Sequence, residues 1–389
     1  MSNEEQPKIF GRVARTALMM AGVGIATLST ASAQELRYAV GLPVDNINFI
    51  AAVDFAETIA ATTDLTVRPY TMALLSLGEI PGGLRDGLAD IGYVAFPYFP
   101  AEFAEANLVG DLAPLATSGS EALYPGAAMV GASMEYIMLN CPECQNQFRR
   151  MNMVFMNTVA ITDYGLVCNT PVRTLADMRG KRIRTGAADQ ARFVEHFGGT
   201  NVGLGGNEIY DALNTGNVDC STNAPESVIS LRYIEVADYF LHQMPGTMFA
   251  GISPASMNRD VWINLGEDQR RAFLNAAARL SVVNWNEITE RNASALQTLT
   301  DAGKTVFEPS EEDFAAYNQF VEQDIEVVRA QYTRDYGVAN VDEKIELISE
   351  LIEKWKGLTN ETGGDIDALT QLYVDEVYSK IDVATYGVE

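Results

Sequence analysis

The 389-residue chain predicts an α/β fold of two related lobes, and three observations carry that prediction. Strand-like and helix-spaced runs alternate through the first hundred residues and again around Arg182–Cys220, the order that builds mainly parallel sheets. A pattern Leu-x-x-Gly-x-x-Asp occurs twice, at Leu84–Asp90 and Leu213–Asp219, each time leading into a strand. No Pro/Gly/Ser-rich linker separates the halves, so the chain is expected to cross between lobes more than once.

The elements follow in order. Leu36–Val40 reads as a short strand, Phe49, Val53, Ala56 and Ala60 recur at helical spacing, and Leu65–Tyr70 is again strand-like, closing a βαβ unit. Gly82–Gly87 leads through Asp90 into the apolar run Ile91–Phe96. In both copies of the repeat the glycine ends a helix, where a left-handed backbone costs it little. From Glu267 to about Ala302 there is no proline, and Phe273, Ala276, Leu280 and Val283 repeat at threes and fours. One helix there would run about 50 Å, long enough to cross both lobes; a break near Asn284–Trp285 is the competing reading. Beyond it, Ser310–Glu389 reads as further helices, with Phe314, Tyr317 and Phe320 on one apolar face.

Two domains suit this length. A formal charge of −25 argues against nucleic acid and anionic membrane surfaces as partners, since both repel an acidic protein. The N-terminus has Lys8, Arg12 and Arg15, an apolar run from Ala17 to about Leu28, and then Thr-Ala-Ser-Ala33. This is the pattern of a secretory signal peptide, residues 1–33, cleaved after Ala33 and too short to span a membrane. A retained anchor is the alternative.

Export favours oxidised thiols, and four cysteines allow two disulfides in three pairings. Cys141-Pro-Glu-Cys144 admits redox, metal and structural readings; the two histidines, His196 and His242, stand apart, so a zinc set is not indicated. The expected bridges are Cys141–Cys144 and Cys168–Cys220.

Motifs for chemistry are scarce. Gly303-Lys-Thr305 resembles the end of a phosphate loop, but Thr298 occupies the place of the first glycine. No nucleophile elbow, zinc-helix motif or dinucleotide fingerprint occurs. Arg184 is the notable residue. Arg182 and Arg184 flank Ile183 on a predicted strand and so share a face, and Gly186 follows where a ligand or backbone could approach closely. A guanidinium offers a rigid fork of donors that fits a carboxylate. A salt bridge within the protein is the bland alternative. Asn207, Glu208 and Tyr210 open a predicted helix, where Asn207 suits a cap and free N–H groups suit an anion. Asn223 fits a turn before Pro225 as well as a site.

Thr174–Arg184, Asn207–Tyr210 and Leu213–Pro225 closely resemble the substrate-binding proteins of tripartite ATP-independent periplasmic (TRAP) transporters, the DctP type. The likeness extends to Ser256–Trp262, the long helix after it, and Leu84–Tyr98. It implies a two-lobed, type II-like periplasmic binding protein with hinge strands and a long helix spanning both lobes. The implied division is residues 34–160 plus about 250–285 for the first lobe and 161–249 for the second. Residues 267–302 are the bridging helix, and 303–389 are helices packing on the lobes. It further implies a periplasmic receptor without a cofactor, a monomer, which passes a small organic acid or zwitterion to TRAP permease subunits.

By that resemblance Arg184 meets the ligand carboxylate, Asn223 assists, and Glu208 and Tyr210 support the cleft. Many members carry a second ligand-binding arginine on the strand that here reads Ile161–Cys168 and has none. The resemblance therefore does not imply a second carboxylate on the ligand, and a monocarboxylate or zwitterion gains ground, with Tyr164 taking part of that role and Phe96, Tyr98 and Phe249 as aromatic walls. A secreted hydrolase of small esters or amides is the rival function, and a receptor for an ABC importer a third.

Overall fold

Buried Leu36 and Tyr38 alternate along β1 (Glu35–Ala39), and the chain then turns into α1 (Ile47–Thr62), capped by the Asn46 side chain. The computed structural model describes residues 35–118, 121–243 and 248–389; the leader read at residues 1–33 lies outside them. β2 (Thr66–Tyr70) returns parallel to β1 with Leu36 opposite Val67. After the short α2 (Ile80–Arg85), β3 (Ile91–Ala95) pairs parallel on the other side of β1. The helices α3 (Ala104–Asp111), α4 (Pro125–Glu135) and α5 (Pro142–Arg150) follow, then β4 (Met153–Val154) and β5 (Val159–Ile161).

With β6 (Gly165–Cys168) the chain enters a second sheet. There β7 (Arg182–Thr185), α6 (Ala188–His196), β8 (Thr200–Gly203), α7 (Ile209–Asn214), β9 (Cys220–Asn223), α8 (Pro225–Ser230) and β10 (Tyr239–Leu241) repeat the alternation. The chain then returns to the first sheet as β11 (Phe249–Asn258), ten residues buried throughout, followed by α9 (Arg259–Asn264). The strand orders are β2-β1-β3-β11-β4, with β5 also on β11, and β12-β10-β6-β9-β7-β8, where β12 is Thr305–Phe307.

Both sheets are mixed rather than mainly parallel. The βαβ strands are parallel, but β11 runs antiparallel to β3, β4 and β5, and β6 antiparallel to β9 and β10. A chain that crosses between two sheets and comes back enters the first sheet in the opposite direction, which alternation along the sequence does not reveal.

The repeated motif closes the same clasp in each sheet. Asp90 accepts from the Arg37 backbone N–H (2.7 Å), Nε (2.9 Å) and Nη2 (3.0 Å), while Nη2 also donates to the Gly87 carbonyl at 2.8 Å. Asp219 accepts from Arg182 N–H (2.8 Å), Nε (3.2 Å) and Nη2 (2.9 Å), and Nη2 reaches the Gly216 carbonyl at 2.7 Å. Gly87 and Gly216 stand at φ +73° and +67°, a conformation a β-carbon would strain. Two lobes with one design follow from this match.

Two helices bind the lobes together. α10 (Glu267–Asp301) is one unbroken 35-residue helix, about 52 Å long, with no break at Asn284–Trp285. Phe273 and Leu280 enter the first lobe's core, and Leu299 enters the second's. α11 (Glu311–Arg334) does the reverse: Tyr317, Phe320 and Val321 pack on the second lobe, Val328 and Tyr332 on the first. Phe314, in the first turn of α11, departs from the expected apolar face and stays exposed. α12 (Val341–Glu361) and α13 (Ile366–Glu376) cover the first lobe. Both expected disulfides are present, Cys141–Cys144 and Cys168–Cys220, the latter joining residues directly opposite on β6 and β9. No helix of the described residues is long and apolar enough to cross a membrane.

Candidate functional site

The parallel strands β8, β7 and β9 bring the C-terminal end of β7 to the line between the two sheets, and Arg184 sits there with Val202 and Ser221 as register neighbours. Open α/β sheets place ligands at such strand ends. The side chain is 2% exposed. Its Nε donates to the Leu204 carbonyl at 2.8 Å, Nη1 to the Thr222 carbonyl at 3.5 Å, and Nη2 to the Tyr98 hydroxyl at 3.1 Å. Among the described residues no carboxylate pairs with it. Its strand neighbour Arg182, by contrast, spends its charge on Asp219. Burying a cation costs several kcal/mol unless a counter-charge compensates, so an unpaired guanidinium is held ready for an anion.

The backbone beside it is shaped for close approach. A β-carbon at Gly186 would stand 2.6 Å from the Phe249 ring and 3.0 Å from Arg184 Nη2. Gln190 fixes that turn: its Oε1 accepts from the Gly186 N–H (3.2 Å) and the Thr222 hydroxyl (2.7 Å), and its Nε2 donates to the Met248 carbonyl (3.3 Å).

Arg184 opens on a cavity of about 60 Å³ between the sheets, to which Tyr98, Tyr164, Asn223 and Phe249 also contribute. Tyr164 stacks on Phe249 (centroids 6.0 Å apart, 17° between planes), and Tyr98 meets Phe249 edge-on at 6.2 Å. Burial pushes the Tyr164 phenol up despite the opposing pull of Arg184, so it stays a neutral hydroxyl. Asn223 Oδ1 accepts from the Ser221 hydroxyl at 2.6 Å. Five of the predicted site residues thus meet in one place: Arg184, Asn223, Tyr164, Tyr98 and Phe249.

The remaining four are placed elsewhere. Phe96 is not a wall of this cavity. It packs into the first lobe's core against Phe103 (4.7 Å) and Phe148 (5.4 Å), because the 3₁₀ turn Phe96–Tyr98 points it inward and Tyr98 outward. Asn207 and Glu208 line a wider outer cleft of about 730 Å³, which meets the inner cavity at Leu77 and Tyr98. Asn207 lies within the turn Gly206–Glu208 and does not cap it; Glu208 closes that turn by accepting from the Gly205 N–H at 2.8 Å. The Tyr210 hydroxyl donates to Glu235 at 3.2 Å, away from Arg184.

The structure adds residues the sequence reading missed. Asn46, Tyr93 and Ser227 line the inner cavity, and Asn46 Nδ2 crosses between lobes to the Ser230 hydroxyl at 3.2 Å. The only signal for Asn46 was its place before a helix, which marks a cap. Glu226, next to Ser227, is a buried acid whose pKa burial pushes up. His242 lies 3.1 Å from Glu308, and His196 packs on Phe197 and Phe320; no group of acids, cysteines and histidines fit to hold a metal occurs among the described residues.

Comparison with known proteins agrees with this geometry. The profile of the bacterial extracellular solute-binding protein family 7, DctP, matches residues 141–332. A solute-binding protein of Albidiferax ferrireducens is 22% identical over 257 residues, 66% of this chain and 71% of the relative. Among solved structures, a TRAP solute-binding protein of Rhodoferax ferrireducens T118 in complex with copurified benzoate superposes with a TM-score of 0.71 at 14% identity, covering 84% of this chain and 99% of that one. A TRAP periplasmic solute-binding protein of Rhodoferax ferrireducens with bound malonate gives 0.66 at 18% identity, covering 83% and 99%. These relatives are solute receptors and not enzymes, and together with the DctP profile and the two-lobed fold they support placing this chain among the TRAP substrate-binding proteins of the DctP family.

Proposed function

We propose that this protein is an extracytoplasmic receptor that binds a small carboxylate in the cavity between its lobes through Arg184 and delivers it to TRAP permease subunits. The observation that carries the reading is the buried Arg184 guanidinium with no carboxylate partner among the described residues. Benzoate and malonate in two structural neighbours share the carboxylate such a group would receive. Arg184 is the cation that lines the inner cavity, and the strand through Tyr164 adds a phenol where a second guanidinium would stand, so one carboxylate is the expected load. Tyr164, Phe249 and Tyr98 supply an aromatic surround for the rest of the molecule, and Asn223 supplies a polar contact. Asn207, Glu208 and Tyr210 shape the second lobe's side of the cleft and its flank. In this reading residues 1–33 direct export to the periplasm and are removed after Ala33, and the receptor works as a monomer.

A thermal-shift screen over mono- and dicarboxylates, followed by calorimetry on Arg184→Ala and Arg184→Lys, tests the reading. Monocarboxylates are expected to raise the melting temperature most, and both variants to lose the effect; an unchanged affinity in either variant would sink it.

A further inference from the structure

Tyr98 does more than wall the cavity. It ends the 3₁₀ turn that follows β3 and belongs to the first lobe. Its hydroxyl accepts from two donors of the second lobe, Arg184 Nη2 at 3.1 Å and the Gly206 N–H at 3.2 Å. A phenol has two acceptor sites and one donor proton. Both acceptor sites are taken, and among the described residues no acceptor receives the proton. The hydroxyl also stands where the inner cavity meets the outer cleft, since Tyr98 and Leu77 line both.

We propose that Tyr98 couples anion binding to lobe closure, its hydroxyl donating to the carboxylate that Arg184 holds while two second-lobe donors hold the hydroxyl. The proposal rests on the reading that Arg184 binds a carboxylate. An anion placed beside Arg184 would touch the second lobe through the guanidinium and the first through the phenol. The two lobes therefore share one ligand atom group, and the favourable contacts form together only when the lobes meet. A ligand shifts a conformational equilibrium only by its differential affinity for the two states, and this bridge supplies that difference.

Tyr98→Phe keeps the ring against Phe249 and removes only the hydroxyl, so it separates a coupling role from a wall. The probe is whichever of benzoate, malonate, lactate and pyruvate most raises the wild-type melting temperature. Calorimetry gives the affinity, and small-angle scattering the change in radius of gyration on adding the probe. Without probe Tyr98→Phe should keep the wild-type far-ultraviolet circular dichroism; with probe it should bind at least about tenfold more weakly, the worth of a hydrogen bond to a charged group, and lose most of the contraction. If it binds and contracts like the wild type while Arg184→Lys has lost binding, Tyr98 is only a wall and the anion reading survives. If Arg184→Lys also binds unchanged, or no probe shifts the wild type, the anion reading fails and the coupling fails with it.

Discussion

Arg192 of α6 grips Asp324 of α11 through two hydrogen bonds, Nε to Oδ1 at 2.7 Å and Nη2 to Oδ2 at 3.0 Å, between the stretch where α11 packs on the second lobe and the stretch where it packs on the first. The same guanidinium reaches Asp111 of the first lobe, Nη1 to Oδ2 at 3.4 Å, and Tyr332 donates to that oxygen at 2.8 Å. The three charged side chains are nearly buried, at 11%, 6% and 7% exposure. This is the junction on which both lobes and a bridging helix converge.

Removing the arginine should therefore cost far more than loss of a surface pair. Arg192→Ala leaves buried carboxylates uncompensated, and a loss of about 3–5 kcal/mol in unfolding free energy is expected by chemical denaturation. A change under 1 kcal/mol would show that the junction is held by packing alone.

The same junction makes stability depend on pH. Burial pushes the Asp189 carboxyl up to about 8, with Asp111 adding to the rise and Arg192 opposing it. A raised folded-state pKa means the native state binds more protons than the unfolded chain between about pH 4 and 8, so this group's contribution falls as pH rises through that window. Melting temperatures measured from pH 5 to 8 should decline in the wild type and decline less in Asp189→Asn. Equal slopes in the two proteins would refute the assignment to Asp189.

At the site, Arg184→Lys keeps the charge but not the fork, and Arg184→Ala removes both. Each should weaken carboxylate binding by about 2–5 kcal/mol in calorimetry. Far-ultraviolet circular dichroism should stay unchanged, because the bonds lost reach only two backbone carbonyls and one hydroxyl.

Gly186→Ala should act on the same property from one residue away. Its β-carbon would press on Phe249 and Arg184 Nη2, so the guanidinium must move. Affinity is expected to drop by an order of magnitude or more, in line with a displaced charge-assisted contact. Wild-type affinity in this variant would mean that the ring yields instead.

The two disulfides should differ in worth. In the chain-entropy picture the bridge with sequence separation 52 contributes about 4 kcal/mol and the one with separation 3 about 2 kcal/mol. Paired serine variants Cys168→Ser/Cys220→Ser and Cys141→Ser/Cys144→Ser, unfolded in urea, compare them directly; a larger loss from the short bridge would contradict the entropic account.

The local pattern was sufficient where each element is its own evidence. Strand-like runs marked β1 and β2, the apolar run Ile91–Phe96 marked β3, the three-four spacing marked α1 and α10, and the Leu-x-x-Gly-x-x-Asp repeat marked the two lobes, because each of these is written in residues a few positions apart. β12 escaped notice because three residues carry no period, and its pairing with β10 is distant in sequence. Phe96 and Tyr98 looked equivalent for the same reason: which of two aromatic rings two residues apart faces a cavity depends on the turn between them and on the opposite lobe.

The opening stretch of the second lobe shows the division best. The order of residues from Thr174 to Pro225 determined by itself that Arg182 and Arg184 would share one face of one strand, with Gly186 just after it. Only the tertiary structure decided that Arg182 is paired and exposed while Arg184 is buried with no acid for a partner. Which residues of a strand share a face follows from alternation along the chain, but whether a charge is neutralised depends on which distant side chains folding brings within reach of it.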